Sequence, residues 1–285
     1  MSFQHYLRIV QDNEKLKRLI EANRETIKFW VPFIIVGFVL FWLFSDWDFS
    51  LFLTTSSLTS MFAFLMVCLK METNRSAKGV SLKMFECYFI LIICRLFSII
   101  PFEGYLPYDR SGDWLYQTVE TISLGLVGLI VYMCRKRFAA SYSAEGDVFQ
   151  HHFLILGCLV LAFLFHPNLN AFMPADLAWT FALYLESVAV LPQLFMFHRE
   201  KKVEAFTTHF LAGQAASRVF SFIFWFSSYK ELNDPSKPMK SYVGQWVMIM
   251  QLLQLVVMGD FIYHYIQCLR KGISTQFILA ASDHV

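Results

Sequence analysis

Charge is the scarcest ingredient of this sequence. Only 16% of its 285 residues are Asp, Glu, Lys or Arg, and the net charge is +2, where soluble domains carry roughly 25% charged residues. So small a surplus, with its basic residues scattered between apolar runs, excludes a nucleic-acid-binding face. No C-x-x-C pair occurs among Cys68, Cys87, Cys94, Cys134, Cys158 and Cys268, which all fall in or at the ends of apolar runs. They read as single buried thiols, which argues against a metal or redox centre. H-E-x-x-H, Walker and G-x-S-x-G motifs are also missing, so the chain is read as a non-enzyme with no cofactor or metal. A cleavable signal peptide is not evident either. A charge-rich stretch fills positions 1–28, and "LFSDWD" after the first apolar run has no A-x-A arrangement. Ser2 rules out N-myristoylation.

What is present is apolar and aromatic. Hydrophobic residues make up 56%, with 31 Phe, and the mean hydropathy is +0.48, the profile of an integral membrane protein. Crossing a hydrocarbon core about 30 Å thick takes roughly 20 mainly apolar residues. Eight segments qualify: 29–44, 51–69, 84–102, 114–134, 152–166, 175–197, 205–229 and 242–269. The first and fifth are short and call for little tilt or local thinning of the bilayer. Alternate connections are basic, beginning with Arg8, Lys15, Lys17, Arg18, Arg24 and Lys28 and ending with Arg270 and Lys271. Only "KELNDPSKPMK" breaks the pattern, so both termini are expected in the cytosol. Phe3, Leu7, Val10, Leu16 and Ile20 share one helical face. That segment fits a membrane-surface helix, a helix paired with another, or a solvated helix.

An ionised side chain in mid-membrane costs roughly 2.5–3.5 kcal/mol on insertion scales, so each one needs a partner or a wet cavity. Asp176, Trp179, Glu186 and Gln193 follow one another at three, seven and seven residues in the sixth segment, which is one helical stripe. Gln214, Ser217, Arg218, Ser221, Trp225 and Ser228 form a second stripe in the seventh, opposite a Phe/Val face. Counting depth from the predicted lumenal ends puts Asp176, Trp179 and Ser228 at a cavity mouth, Arg95 below them, and Glu186 with Arg218 near mid-membrane. Glu186 and Arg218 fit a structural ion pair and a ligand site equally well. Arg95 has no obvious carboxylate at its depth apart from Glu120. An unpaired arginine facing such a cavity favours an anionic ligand, which guanidinium grips through paired hydrogen bonds. Trp179 suits flanking that ligand or packing. Asp260 and His264, one turn apart, suit a structural pair or a gate. Ser56, Ser57 and Ser60 read as glue between helices.

These residues resemble a known family, the receptors that retain soluble proteins of the endoplasmic reticulum by binding a C-terminal Lys/His-Asp-Glu-Leu signal. The likeness runs from about 51 to 272 and is strongest in "LAWTFALYLESVAVLPQLFM" (177–196). Weaker matches are "NRSAKGVSLK", "LVLAFLF" (159–165), "FTTHF" (206–210), Arg218, Trp225 and "GDFIYHYI" (259–266). The first apolar segment has no counterpart in seven-helix receptors and is similar to the longer, receptor-related members. The resemblance implies an all-α polytopic fold of one extra N-terminal helix plus a seven-helix, PQ-loop/SWEET-like arrangement. Segments two to four and six to eight would form two three-helix bundles joined by a linker helix, with Pro192-Gln193 as the PQ signature. It implies boundaries at 1–28 (cytosolic amphipathic segment), 29–50 (extra helix and turn), 51–272 (receptor-like domain) and 273–285 (cytosolic tail).

For the site, the resemblance implies ligand binding by Arg95, Arg218, Asp176, Trp179 and Glu186, with Asp176 standing where a Glu is usual. Gln193, Asp260, His264 and Glu120 are expected as gate or structural residues. Leu53 and Ser228 occupy two other arginine positions, Ser60 the position of a pH-sensing histidine, Ser98 that of an aspartate, and Ser217 and Ser221 those of tyrosines. The function expected is binding of a C-terminal retention-type peptide or related anion in a lumenal cavity, in Golgi-to-endoplasmic-reticulum retrieval, with altered ligand or pH dependence. A transporter of a small polar or anionic solute and a Golgi membrane organiser are the alternatives. Vesicle coat machinery is the expected cytosolic partner, reached through "HREKKVE" because the tail "GISTQFILAASDHV" has no lysine-rich coat signal.

Overall fold

A segment inside a bilayer has no water for its backbone N–H and C=O groups, so it must close its hydrogen bonds internally. The computed structural model does this with helices, and no strand occurs among the described residues. Described are residues 50–102, 113–167, 169–170, 172–200, 204–233 and 241–271, with scattered positions between 21 and 42. Eight α-helices occur among them. These are α1 (Ser50–Asn74), α2 (Leu82–Ile99), α3 (Asp113–Tyr132), α4 (His151–Leu164), α5 (Met173–Val188), α6 (Leu191–Glu200), α7 (Ala205–Ser228) and α8 (Val243–Lys271).

Local chemistry explains the boundaries. Ser81 caps α2, its hydroxyl accepting from the Met84 N–H, which satisfies one of the N-terminal donors that a helix leaves open. A π-helical turn, Met133–Arg137, ends α3 with three basic residues. The expected span 175–197 is two helices, because the chain turns at Ala189 and Val190 and restarts at Leu191. Pro192 then sits in the first turn of α6, where its missing N–H leaves no intrahelical bond unmade.

Among the described residues, four spans are long and apolar enough to cross a membrane: Phe52–Asn74, Trp114–Arg137, Met173–Glu200 across the α5–α6 turn, and Val243–Leu269. Of the other expected spans, α2 carries three charged residues, Lys83, Glu86 and Arg95, and α7 is made less apolar by its serine and arginine stripe. Apolar faces point outward, as with Leu156, Leu159 and Phe163 of α4, Val219 and Phe226 of α7, and Ile249, Leu252 and Val256 of α8.

Inside, α1 packs on α7 and α3, α2 on α5 and α3, α8 on α7 and α5, and α4 on α5. Phe64, Phe85, Tyr88 and Phe210 pack edge-on and tilted where α1, α2 and α7 meet, with ring centroids 5.3 Å apart for Phe64–Tyr88 and 5.4 Å for Phe85–Phe210.

One end of the bundle is tied shut by two side chains. Asp147 accepts from the Ser81 hydroxyl at 2.9 Å, the Lys83 N–H at 3.3 Å and the Tyr142 hydroxyl at 2.7 Å. Burial and the Asp147 carboxylate push the Tyr142 phenol upward, so it stays a neutral donor. Gln193 accepts from Ser81 N–H at 2.8 Å and donates to the Gly79 carbonyl at 3.0 Å. Gly79 has φ +76, a left-handed turn that glycine adopts without Cβ strain. Together these bonds join the α1–α2 connection, the α3–α4 connection and the start of α6.

The first expected span, 29–44, falls largely outside the described residues, as do most of the amphipathic segment and the tail. The described positions between 21 and 42 are helical. Trp30 docks on α8, its indole N–H donating to the Tyr265 hydroxyl at 3.2 Å, which also bonds His209 of α7 at 2.8 Å.

Candidate functional site

The site grows outward from Glu186, 4% exposed on α5. Its Oε1 meets Arg218 Nη1 of α7 at 2.5 Å and its Oε2 meets Arg95 Nη2 of α2 at 2.6 Å. Arg95 extends its other terminal nitrogen to Glu120 of α3, 3.5 Å away, and Glu120 accepts from the Ser57 hydroxyl of α1 at 2.9 Å. One network therefore crosses α7, α5, α2, α3 and α1. Its two positive and two negative groups cancel, which is how charges persist away from water. The expectation of an unpaired Arg95 is thereby corrected, because its guanidinium spans two carboxylates that lie far apart in sequence.

Around this network is a cavity of about 740 Å³ with its mouth included. It reaches from Ile99 and Trp225, at the ends of α2 and α7 away from the tied end, down to Phe64 and Glu186. Trp179 and Trp225 meet edge-on beside it, with centroids 6.4 Å apart. The centres of water-sized molecules can occupy about 50 Å³ of it, room for roughly three to five waters. Serine bonds form its α1–α7 wall. Ser56 donates to the Ser217 carbonyl and Ser217 to the Ser56 carbonyl, each at 2.8 Å, and Ser60 donates to Gln214 at 3.0 Å. The helix-glue reading of these serines agrees with those bonds. Three buried polar atoms in the wall have no hydrogen-bond partner: Tyr88 Oη, Arg218 Nε and Gln251 Oε1.

Of the residues singled out from sequence, Arg95, Arg218, Glu186, Trp179 and Glu120 come together in this wall. Asp176 does not. It is fully buried and its Oδ1 accepts from Leu169 and Asn170 N–H at 2.9 and 3.2 Å, holding the turn that leads into α5. Asn170 in turn donates to Ser98 at 3.3 Å. Gln193 also lies outside the wall, in the tie at the opposite end, because the break before α6 removes it from the stripe through Glu186. Asp260 and His264 approach within 3.5 Å on α8, with Asp260 71% exposed, beside a separate cavity that His198 also lines. Tyr88 and Gln251 were not read from the sequence. Tyr88 precedes Arg95 by seven residues, and Gln251 is a polar residue in the apolar run "WVMIMQLLQLVVM", so both signals were present.

Apolar helices closed around a buried, charge-balanced polar cavity define a polytopic helical membrane protein. Comparison with known proteins narrows that class. The sequence profile of the family described as ER lumen protein retaining receptor matches residues 76–228, a stretch that contains Arg95, Glu120, Glu186 and Arg218. The chain belongs to that family. It is 31% identical over 221 residues to an ER lumen protein-retaining receptor of Petunia hybrida, covering 76% of this chain and 94% of the relative. To ER lumen protein-retaining receptor 2 of Danio rerio it is 29% identical over 224 residues, 78% of this chain and 96% of the relative. The receptor of Caenorhabditis briggsae is 30% identical over 219 residues, 76% and 93% of the two chains.

Proposed function

We propose that this chain is a retention-receptor-like protein of the endoplasmic reticulum and Golgi that binds the C-terminal peptide of soluble proteins and returns them to the endoplasmic reticulum. The observation that carries the reading is the convergence of Arg95 and Arg218 on one carboxylate in the wall of a single cavity, since paired guanidiniums suit a terminal carboxylate. Trp179 flanks the ligand, and Glu186 sets the arginines apart until it arrives. Basic connections at the tied end support a cytosolic location for it and for both termini, with the cavity mouth facing the lumen. "HREKKVE" is the proposed contact for vesicle coat machinery.

The packing supports a PQ-loop-like arrangement of two three-helix bundles within 51–272, linked by α4, with 29–50 as an added helix and turn, 1–28 as a cytosolic segment and 273–285 as a cytosolic tail. In each half the third helix lies against the other two, α3 on α1 and α2, and α8 on α5 and α7. Across the halves, first meets second both ways, α1 with α7 and α2 with α5. Such folds bind between their repeats near mid-membrane.

The test is a secreted reporter whose last four residues are randomised, expressed with this chain in cells depleted of their own retention receptor. A subset of C-termini is expected to be retained, and retention is expected to disappear with Arg218→Ala. Secretion of every C-terminus at the level seen without the chain refutes the proposal.

A further inference from the structure

We infer that the cavity selects a C-terminus whose only charge is its terminal carboxylate, and that Gln251 is a ligand-binding residue. This rests on the C-terminal peptide reading above and names its ligand class. The first argument is charge. Arg95 and Arg218 are matched one for one by Glu186 and Glu120 through contacts of 2.6, 2.5 and 3.5 Å, so the wall offers no positive surplus. A tetrapeptide with two acidic side chains and a terminal carboxylate brings three negative groups into a poorly hydrated space, where uncompensated charge is strongly disfavoured. A single carboxylate can be met without dismantling the network. Arg218 has an unused Nε–H and Tyr88 an unused hydroxyl, both buried in the wall.

The second argument is hydrogen-bond matching. Gln251, on α8, is 3% exposed and its Oε1 is unpartnered in the wall. That oxygen is matched by an amide or backbone N–H on the ligand. Ser217 and Ser221, also in the wall, are uncharged hydroxyls that suit amide side chains equally well.

The experiment is calorimetry on the full chain in detergent with three synthetic peptides, ending Ser-Asn-Gln-Leu as free acid, the same as C-terminal amide, and Lys-Asp-Glu-Leu as free acid. The free Ser-Asn-Gln-Leu acid is expected to bind at least roughly tenfold more tightly than either other peptide, the scale of one buried polar group left unmatched. Gln251→Leu is expected to weaken that binding about tenfold and to leave Lys-Asp-Glu-Leu within about twofold. Gln251→Glu, which keeps the shape, is expected to weaken it as well. Equal or tighter binding of Lys-Asp-Glu-Leu, or indifference to both Gln251 changes, overturns this inference while C-terminal peptide binding stands. Failure of all three peptides to bind overturns both.

Discussion

Glu186→Gln separates the two parts of the central cluster more cleanly than any other single change. It keeps the side-chain shape and removes one negative charge. Among the described residues, Arg218 then has no carboxylate within 4 Å, and Arg95 retains only Glu120 at 3.5 Å. Leaving a buried charge unpaired destabilises by roughly 3–5 kcal/mol, and at about 2–4 °C per kcal/mol for a chain of this size the midpoint should fall by about 6–20 °C. The cysteines provide the assay. All six are thiols, and Cys68, Cys87, Cys134, Cys158 and Cys268 are buried, so a thiol-reactive dye reports melting in detergent. A second substitution tests the mechanism. Glu186→Gln with Arg218→Gln removes one charge of each sign and should recover most of the loss, giving a large interaction energy in a double-mutant cycle. A single variant that melts within about 2 °C of the parent, or two changes whose effects simply add, refutes the view that pairing holds these helices together.

Glu120→Gln should make the cavity net positive at small structural cost, since its contact to Arg95 is the longest in the cluster and a Gln oxygen still accepts from Ser57. Calorimetry should show Lys-Asp-Glu-Leu gaining severalfold, a gain that persists at high salt because the charges are buried. Gln193→Leu orphans the Ser81 N–H and the Gly79 carbonyl, a loss of roughly 2–4 kcal/mol that lowers the melting midpoint without changing peptide affinity. Asp176→Ala releases the turn at Leu169 and Asn170. It should lower the midpoint in the same dye assay and leave peptide affinity within about twofold, whereas a large affinity loss would restore Asp176 to the ligand site.

Periodicity made most of the fold legible. Seven of the eight apolar segments correspond to described helices, and the serine and arginine stripe of the seventh is buried as one face. Segment ends were less legible, because apolar content says where a chain can enter lipid and turn chemistry says where a helix stops. Position arithmetic along the sixth segment worked from Trp179 to Glu186, which lie on one continuous helix, and failed at Gln193. A turn at Ala189 and Val190 resets the helical phase. Asp176 shares a helix with Glu186 and still turns away, because two backbone N–H groups ahead of α5 claim its carboxylate. The pairing of Arg95 with Glu186 was beyond depth counting, since a long guanidinium reaches past its own level.

The cluster that joins five helices is also the cluster a ligand must engage, and this constrains how binding can work. A ligand that reaches the network competes first for the contacts across Glu186. A terminal carboxylate that replaces Glu186 on one arginine exchanges an internal ion pair for a ligand ion pair of similar kind. The net electrostatic gain is therefore small, and affinity depends on groups left unmatched in the closed state, Tyr88, the Arg218 Nε–H and Gln251. A more acidic ligand would displace Glu186 and Glu120 without neutralising them, leaving two carboxylates buried and unpaired. Selectivity in this cavity thus follows from its own balanced charges, which favour ligands that add little charge and satisfy the three polar atoms the fold leaves open.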